Sequence, residues 1–308
     1  MSQPKISIII LHLCEMDGLL ECLSFLGGVS YGNFDVFVVQ NGPEGYELKK
    51  RLPPFPGSLA EIIYTGKNLG FAAGNNIGIK RALQKGADYV LLLNDDTVVS
   101  PDFLDILVAE AEKDPLIGML GPEVLCFRDR ERVSFAGAKL DPVAGTFSFP
   151  RSGEFSTASG GTPPFESDYI TGCALLVKKS LLDRIGLLDE RFFLYWEDSD
   201  WGLRAKKAGF RCLVVPASRI WHKVSASSGG NDSPLKAYHK TRSHLLFAEL
   251  HAPPAKKKLL LQAARDIVWL VFKSGAPGAF RRAAAYAAAV SDYLRGRGGA
   301  GPAWLSEK

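Results

Sequence analysis

Short apolar runs alternate with longer amphipathic ones through the first third of the chain. The runs at 6–11, 34–39, 62–65 and 89–93 have strand length and are rich in β-branched residues. Around them, 18–26, 44–52, 75–84 and 101–113 space their apolar residues as helices do. Such alternation predicts an α/β fold built on a doubly wound parallel sheet. After Gly118 the signals shorten and turn strand-like, at 123–127, 133–137, 174–177 and 212–215, which predicts a mixed sheet in the second half. Two Ser/Gly/Pro-rich stretches, 151–164 and 225–234, read as loops; the second follows His222 closely and is a candidate lid.

Polar residues gather where the predicted strands end. Asn94, Asp95, Asp96 and Thr97 follow the run at 89–93, and open α/β sheets bind ligands outside the carboxyl ends of their strands. Two adjacent acids there suit a hard divalent cation, Mn2+ or Mg2+, with positions left for phosphate oxygens. A turn accounts for the same residues, because Asn and Asp favour turns. Further on, Glu197, Asp198 and Asp200 crowd into four positions among Tyr195, Trp196 and Trp201. Carboxylates packed beside rings are costly, and a general base is the chemistry that explains them. The structural alternative is a helix start, with Asp200 and Arg204 paired at i,i+4 and Gly209 as the stop. Between the clusters, glycines stand at 66, 70, 74 and 78 without any G-x-G, which excludes the dinucleotide fingerprint. Glycine at every fourth position weakens a free helix, so it points to close backbone approach to a ligand or to the sheet.

Composition narrows the setting. Of 308 residues 46% are hydrophobic, ordinary for a globular core. Five scattered cysteines (Cys14, Cys22, Cys126, Cys173, Cys212) without a C-x-x-C argue for a reducing compartment and against a zinc site. Neither a signal peptide nor a membrane-spanning run is evident, so the expected location is cytoplasmic. The stretch 254–308 holds ten Lys/Arg against three Asp/Glu, whereas the whole chain is only +4. Its basic clusters flank apolar runs at 259–261 and 267–272, a pattern suited to an anionic membrane surface or to a helix packed on the domain. No nucleic-acid-binding module accompanies the charge, which argues against nucleic acid as a partner.

The ordered set Val39-Gln40-Asn41-Gly42, 68–78, 94–97, 171–177, 186–193, 197–204 and His222 resembles the family 2 glycosyltransferases, in their rhamnosyltransferase-like branch, over about residues 6–246. The resemblance implies a GT-A-type nucleotide-sugar domain at 1–250, with a nucleotide-binding half at 1–120 and an acceptor half at 121–250. A basic amphipathic helical region at 251–308 follows. It implies an inverting, metal-dependent transfer from a nucleotide-diphosphate sugar to a saccharide or lipid-linked saccharide acceptor in bacterial surface glycan synthesis. Rhamnose from dTDP-rhamnose is the favoured donor; a UDP-sugar donor and a catalytically degenerate scaffold are the alternatives. By resemblance, Asp96 and His222 are the metal ligands, and Asp198 is the base with Glu197 and Asp200 beside it. Leu11, Gln40, Asn41, Asn68, Gly70, Asn75, Asp95, Trp196 and Arg242 correspond to the nucleotide-sugar set, with Tyr238 and Arg242 resembling a pair near the diphosphate.

Two positions depart from the family pattern. Gln40 stands where an aspartate usually reads the pyrimidine, and Leu13-Cys14 where tyrosine-asparagine is common. A glutamine carbonyl still accepts an imide N–H. A nucleotidyltransferase would ordinarily need a glycine-rich basic triphosphate loop near the first strand, and 11–18 offers none.

Overall fold

A computed structural model describes residues 3–13, 16–43, 48–52, 59–156, 161–223, 233–272, 275 and 278–305. The first half alternates β1 (Ile6–His12), α1 (Met16–Leu26), β2 (Phe34–Gln40), α2 (Leu48–Arg51), β3 (Leu59–Tyr64), α3 (Gly70–Gln84), β4 (Tyr89–Asn94), β5 (Thr97–Val99) and α4 (Phe103–Ala111). Strands β6 (Ile117–Cys126), β7 (Val133–Phe135), β8 (Lys139–Asp141), β9 (Thr146–Ser148), β10 (Phe165–Glu166) and β11 (Ala174–Lys178) come next. Helices α5 (Lys179–Ile185) and α6 (Glu197–Lys207), strand β12 (Arg211–His222), and helices α7 (Pro234–His251), α8 (Ala255–Phe272) and α9 (Ala279–Leu294) complete the order.

The main sheet runs β10-β12-β6-β11-β4-β1-β2-β3. Strands β3, β2, β1 and β4 are mutually parallel, β11 is antiparallel to both β4 and β6, and β12 is parallel to β6. The chain lays down β1, β2 and β3 in one direction, then returns to place β4 on the other side of β1. That reversal opens a crevice at the carboxyl ends of β1 and β4. Helices cover both faces of the sheet, so the strands read as continuous apolar runs. Ile6, Ile8 and Ile10 pack with α1 and α4, while Ile9, Val39 and Leu92 pack with α3 and α6.

The glycine period is explained by the sheet. A Cβ on Gly74 would sit 2.5 Å from Leu11 Cδ1, and one on Gly78 would sit 2.5 Å from Ile9 Cγ2 and 3.0 Å from Val39 Cγ2. Helix α3 therefore lies on β1 and β2 nearly backbone to side chain. Gly70, at φ +84°, lets Phe193 close on the helix start, and Phe71 N–H donates to the Phe193 carbonyl at 2.7 Å.

Some elements differ from the pattern-based expectation. The expected helix at 44–52 is described only as Leu48–Arg51, since 44–47 lie outside the described residues. Strand β12 extends well past the expected 212–215 and carries His222 as its own last residue. Pro216, which has no N–H, falls where the β6 ladder shifts register between Val215 and Arg219. Beyond the shift the strand also pairs with β5, placing His222 opposite Thr97. The candidate lid lies mostly outside the described residues; Ser233 caps α7, accepting Lys236 N–H at 3.2 Å. In the loop at 151–164, Arg151 pairs at 3.3 Å with the fully buried Glu123 of β6.

The tail folds back onto α7. Tyr238 is buried against Ala285 and Ala289 of α9, and its hydroxyl donates to Asp292 at 2.8 Å. Among the described residues no helix is long and apolar enough to cross a membrane.

Replacing Gly78 by Ala tests the α3 packing. Alanine favours a helix by up to about 1 kcal/mol, but here its Cβ meets β-branched side chains on two central strands, an overpacking cost of about 1–3 kcal/mol. The expected outcome is a fall of several degrees in the thermal midpoint; a rise would refute the close-packing account.

Candidate active site

The switch point gathers polar ends from three strands. β1 ends in His12, β2 in Gln40, and β4 in Asn94, followed by Asp95 and Asp96. Gly18 of α1 lets that helix abut this turn, since a Cβ there would lie 3.1 Å from the Asp95 carbonyl. His12, wholly buried, donates from Nδ1 to Asp95 Oδ2 at 2.8 Å. Asp96 Oδ1 lies 3.0 Å from His222 Nε2. Burial alone would lower the His222 pKa, but the Cys173 sulfur and the Asp96 carboxylate outweigh it and push it up to about 11. These groups favour a positive charge at this spot.

A divalent cation fits that preference. Two donors 3.0 Å apart match neighbouring ligands on a small cation with bonds of about 2.1 Å. Among the described residues no group of three or more His, Cys, Asp or Glu could hold a metal. Asp96 and His222 would thus be a two-ligand set, with the remaining positions open to substrate oxygens.

At the end of β2, Gln40 is 1% exposed and donates from Nε2 to the Leu13 carbonyl at 2.9 Å. That bond fixes the amide orientation, because a flipped amide would set two acceptors face to face. Its Oε1 is buried with no hydrogen-bond partner. Gly42 is tightly confined here, a Cβ falling 2.5 Å from Gln40 Nε2 and 2.8 Å from the Leu13 carbonyl. The asparagines of the sequence-derived set have structural work. Asn41 donates to the Gly70 carbonyl at 3.1 Å and accepts from Leu69 N–H at 2.9 Å, and Asn68 accepts from Gly70 N–H at 2.9 Å. Asn75 donates back to the Phe71 carbonyl at 2.9 Å, and Leu11 packs against Gly74. Together they shape the loop and the start of α3.

The second acidic cluster opens α6. Tyr195 (φ 68°) and Trp196 (φ 74°) both adopt the left-handed conformation, at a cost of about 1–3 kcal/mol each. This double twist precedes a helix whose first turn is Glu197, Asp198 and Asp200. Asp198 accepts Gly172 N–H at 3.0 Å on Oδ2 and Ser199 N–H at 2.7 Å on Oδ1. Ser199 Oγ also donates to Oδ1, at 3.2 Å. Glu197 is 5% exposed, and its Oε2 is buried without a hydrogen-bond partner. Burial raises both carboxyls above the usual range; the Asp198 charge adds to it for Glu197, and backbone N–H donors partly offset it for Asp198. The backbone donors on Asp198 stabilise negative charge there, whereas Glu197 Oε2 has none. The Asp198 carboxylate thus accepts at least three hydrogen bonds while lining the cavity wall.

Asp200 has a different task from its expected place beside the base. Oδ2 accepts from Arg204 Nε at 2.8 Å and Oδ1 pairs with His251 Nε2 at 2.7 Å, locking α6 to α7. Trp201 is wholly buried, donating to the Gly186 carbonyl at 3.0 Å. Trp196, by contrast, stacks on His244 at 4.1 Å and lines a cavity of about 710 Å³ together with Tyr169, Asp198, Lys240 and Asp266. Arg242 also departs from its expected role near a diphosphate. It is 3% exposed and donates to the Arg191 and Arg297 carbonyls at 3.1 Å each, so it pins α7 to the tail. The cation facing the cavity is Lys240, 5.4 Å from the Tyr195 ring.

The turn 171–173 joins the two acidic clusters. Gly172 N–H binds Asp198, the Cys173 carbonyl accepts Asn94 N–H at 2.9 Å, and the Cys173 sulfur adjoins His222. A Cβ on Gly172 would sit 2.9 Å from Phe71 Cζ, so the Phe71 ring would have to shift to admit one. Gly172, Cys173, His12 and Lys240 were absent from the sequence-derived site. For His12 the available signal was a histidine ending an apolar strand; for Gly172 and Cys173 it was Thr-Gly-Cys immediately before one.

Comparison with known proteins agrees with this architecture. A family model described as Glycosyl transferase family 2 matches residues 7–185. The chain is 27% identical over 238 residues to an N-acetylglucosaminyl-diphospho-decaprenol L-rhamnosyltransferase of Mycobacterium tuberculosis, covering 70% of this chain and 75% of the relative. It is 24% identical over 247 residues to the dTDP-rhamnosyl transferase RfbF of Shigella flexneri, covering 75% of each. A crystal structure of GalNAc-T7 with UDP, GalNAc and Mn2+ superposes with a TM-score of 0.65 at 14% identity, over 94% of this chain and 55% of that one. The mannosyltransferase PcManGT of Pyrobaculum calidifontis, in complex with GDP-Man and Mn2+, gives 0.57 at 17% identity, over 95% of this chain and 88% of that one. With the family match covering more than half of its length and its sheet superposing on GT-A enzymes, the chain belongs to glycosyltransferase family 2 and is a glycosyltransferase.

Proposed function

We propose that the enzyme transfers a deoxyhexose, rhamnose from dTDP-rhamnose, with inversion onto a saccharide hydroxyl of a lipid-linked acceptor in bacterial surface glycan synthesis. The observation that carries the reaction is Asp198, a carboxylate held by backbone N–H donors on the wall of the cavity. It would take the acceptor proton as that oxygen attacks the anomeric carbon. Glu197, whose carboxyl pKa is raised by burial and by the Asp198 charge, disfavours a second negative charge on the pair. Trp196 offers an aromatic edge to a sugar in the cavity, and Lys240 a positive charge. Asp96 and His222 would hold Mn2+ or Mg2+, which when bound offsets the negative charge developing on the diphosphate.

Gln40 supports an imide pyrimidine as the base, because its buried Oε1 can only accept. Thymine and uracil present the same N–H, so a UDP-sugar donor is the second reading. The names of the two rhamnosyltransferase relatives support the deoxyhexose and, in one case, the lipid-linked acceptor. A scaffold without catalysis would have no need for a strained approach to paired buried acids. We place the reaction in the cytoplasm, at the inner face of the membrane.

Asp198→Asn is expected to keep donor affinity within about twofold while turnover falls roughly 10²–10⁴-fold. In the parent enzyme kcat/KM should drop as pH falls, because the base works deprotonated, with a limb above the ordinary carboxylate range. Unchanged turnover in the variant would remove Asp198 as the base. In a thermal-shift panel with Mn2+, dTDP and UDP should stabilise the protein at least about tenfold more effectively than CDP, whose ring nitrogen opposes Gln40 with an acceptor. Asp96→Ala should abolish the Mn2+-dependent part of that stabilisation; its persistence would place the metal elsewhere.

A further inference from the structure

Helix α8 has two contrasting faces. Ala255, Ala263 and Leu270 are buried, and Leu259, Gln262, Ala263 and Asp266 form one wall of the cavity that contains Asp198. On the other side Leu261, Arg265, Val268 and Phe272 fall at i, i+4, i+7 and i+11, a single helical face, with Trp269 beside them. All five are exposed, Trp269 by 54% and Phe272 by 78%. Across the hairpin, Phe280 at the start of α9 is 72% exposed. A contiguous apolar surface of large side chains on a folded protein marks an interaction site.

Charge identifies the partner. Lys257 and Lys258 lie exposed at the amino end of the same helix, Arg265 sits within its apolar stripe, and Arg281 is exposed beside Phe280. The sole acidic residue of α8, Asp266, is on the cavity side. A tryptophan and a phenylalanine among lysines and arginines match the chemistry of a helix lying in an anionic lipid interface.

We propose that the outward face of α8, with the start of α9, docks on an anionic bilayer, and that α8 thereby sets the acceptor cavity against the membrane surface. The docking rests on the surface alone; that it presents a membrane-anchored acceptor rests on the transferase reading above. Through that arrangement the same helix contacts lipid on one side and forms the cavity wall on the other.

The test is co-sedimentation of the full chain with vesicles of phosphatidylcholine alone or mixed with phosphatidylglycerol, alongside turnover on a water-soluble saccharide acceptor. Binding to the anionic vesicles only, weakened roughly tenfold or more by Trp269→Glu with Phe272→Glu and again by Lys257→Glu with Lys258→Glu, is the expected result. Soluble-acceptor turnover should stay unchanged in both variants, which shows that they fold. Absence of anionic-vesicle binding with turnover intact would overturn the docking and leave the transferase reading standing. Self-association lost on the same substitutions, without vesicle binding, would assign the face to a second copy and equally overturn the proposal. Vesicle binding in a protein that turns over no nucleotide sugar would defeat the transferase reading alone.

Discussion

One requirement organises the molecule: keeping a carboxylate anionic while it is largely withdrawn from water. Moving such a charge out of water costs several kcal/mol, and a second carboxyl next to it makes matters worse. Three features offset that cost at Asp198. It sits in the first turn of α6, where the helix dipole favours anions. It accepts two backbone N–H groups and a serine hydroxyl. Burial and the Asp198 charge raise the carboxyl pKa of its neighbour Glu197, which disfavours a second negative charge beside it. The left-handed Tyr195 and Trp196 are the local strain that turns this helix start toward the cavity.

Holding this carboxylate in place draws in distant parts of the chain. Asp200 ties α6 to Arg204 and to His251 at the end of α7. Arg242 then binds α7 to the Arg191 and Arg297 carbonyls. From the other side, the 171–173 turn reaches from Asp198 to Asn94 and His222, so movement of either cluster disturbs the other. The glycines of α3 complete the frame, since they let the helix sit against β1 and β2 and accept Phe193 at its start. The C-terminal helices belong to the cavity as well, α7, α8 and α9 each lining part of it.

Much of this was legible in the chain by itself. The short continuous apolar runs and the helical patterns predicted the parallel half, because both faces of that sheet are covered and every strand must be apolar. Asp96 and Asp198 stood out because acids crowded beside apolar residues need a reason. His222 and Asp96 do come together, though by a different local route: the strand expected to stop near 215 continues past Pro216 and carries the histidine to β5.

Only the tertiary structure decided which member of each cluster is bound up within the fold and which lines the cavity. Asp200 and Arg242 carry the same charges in the sequence as any catalytic residue, yet both are consumed by partners roughly fifty residues away in the chain. The glycine spacing left ligand and sheet equally open until Ile9 and Val39 were found against Gly78. Gly172 shows no chemistry in its side chain at all; its contribution is one backbone N–H delivered to Asp198. Local composition determines which residues are able to bear charge, bend or pack. Long-range contacts determine which of those abilities remain unspent, because a hydrogen-bond partner or a buried face is assigned only when the whole chain has closed.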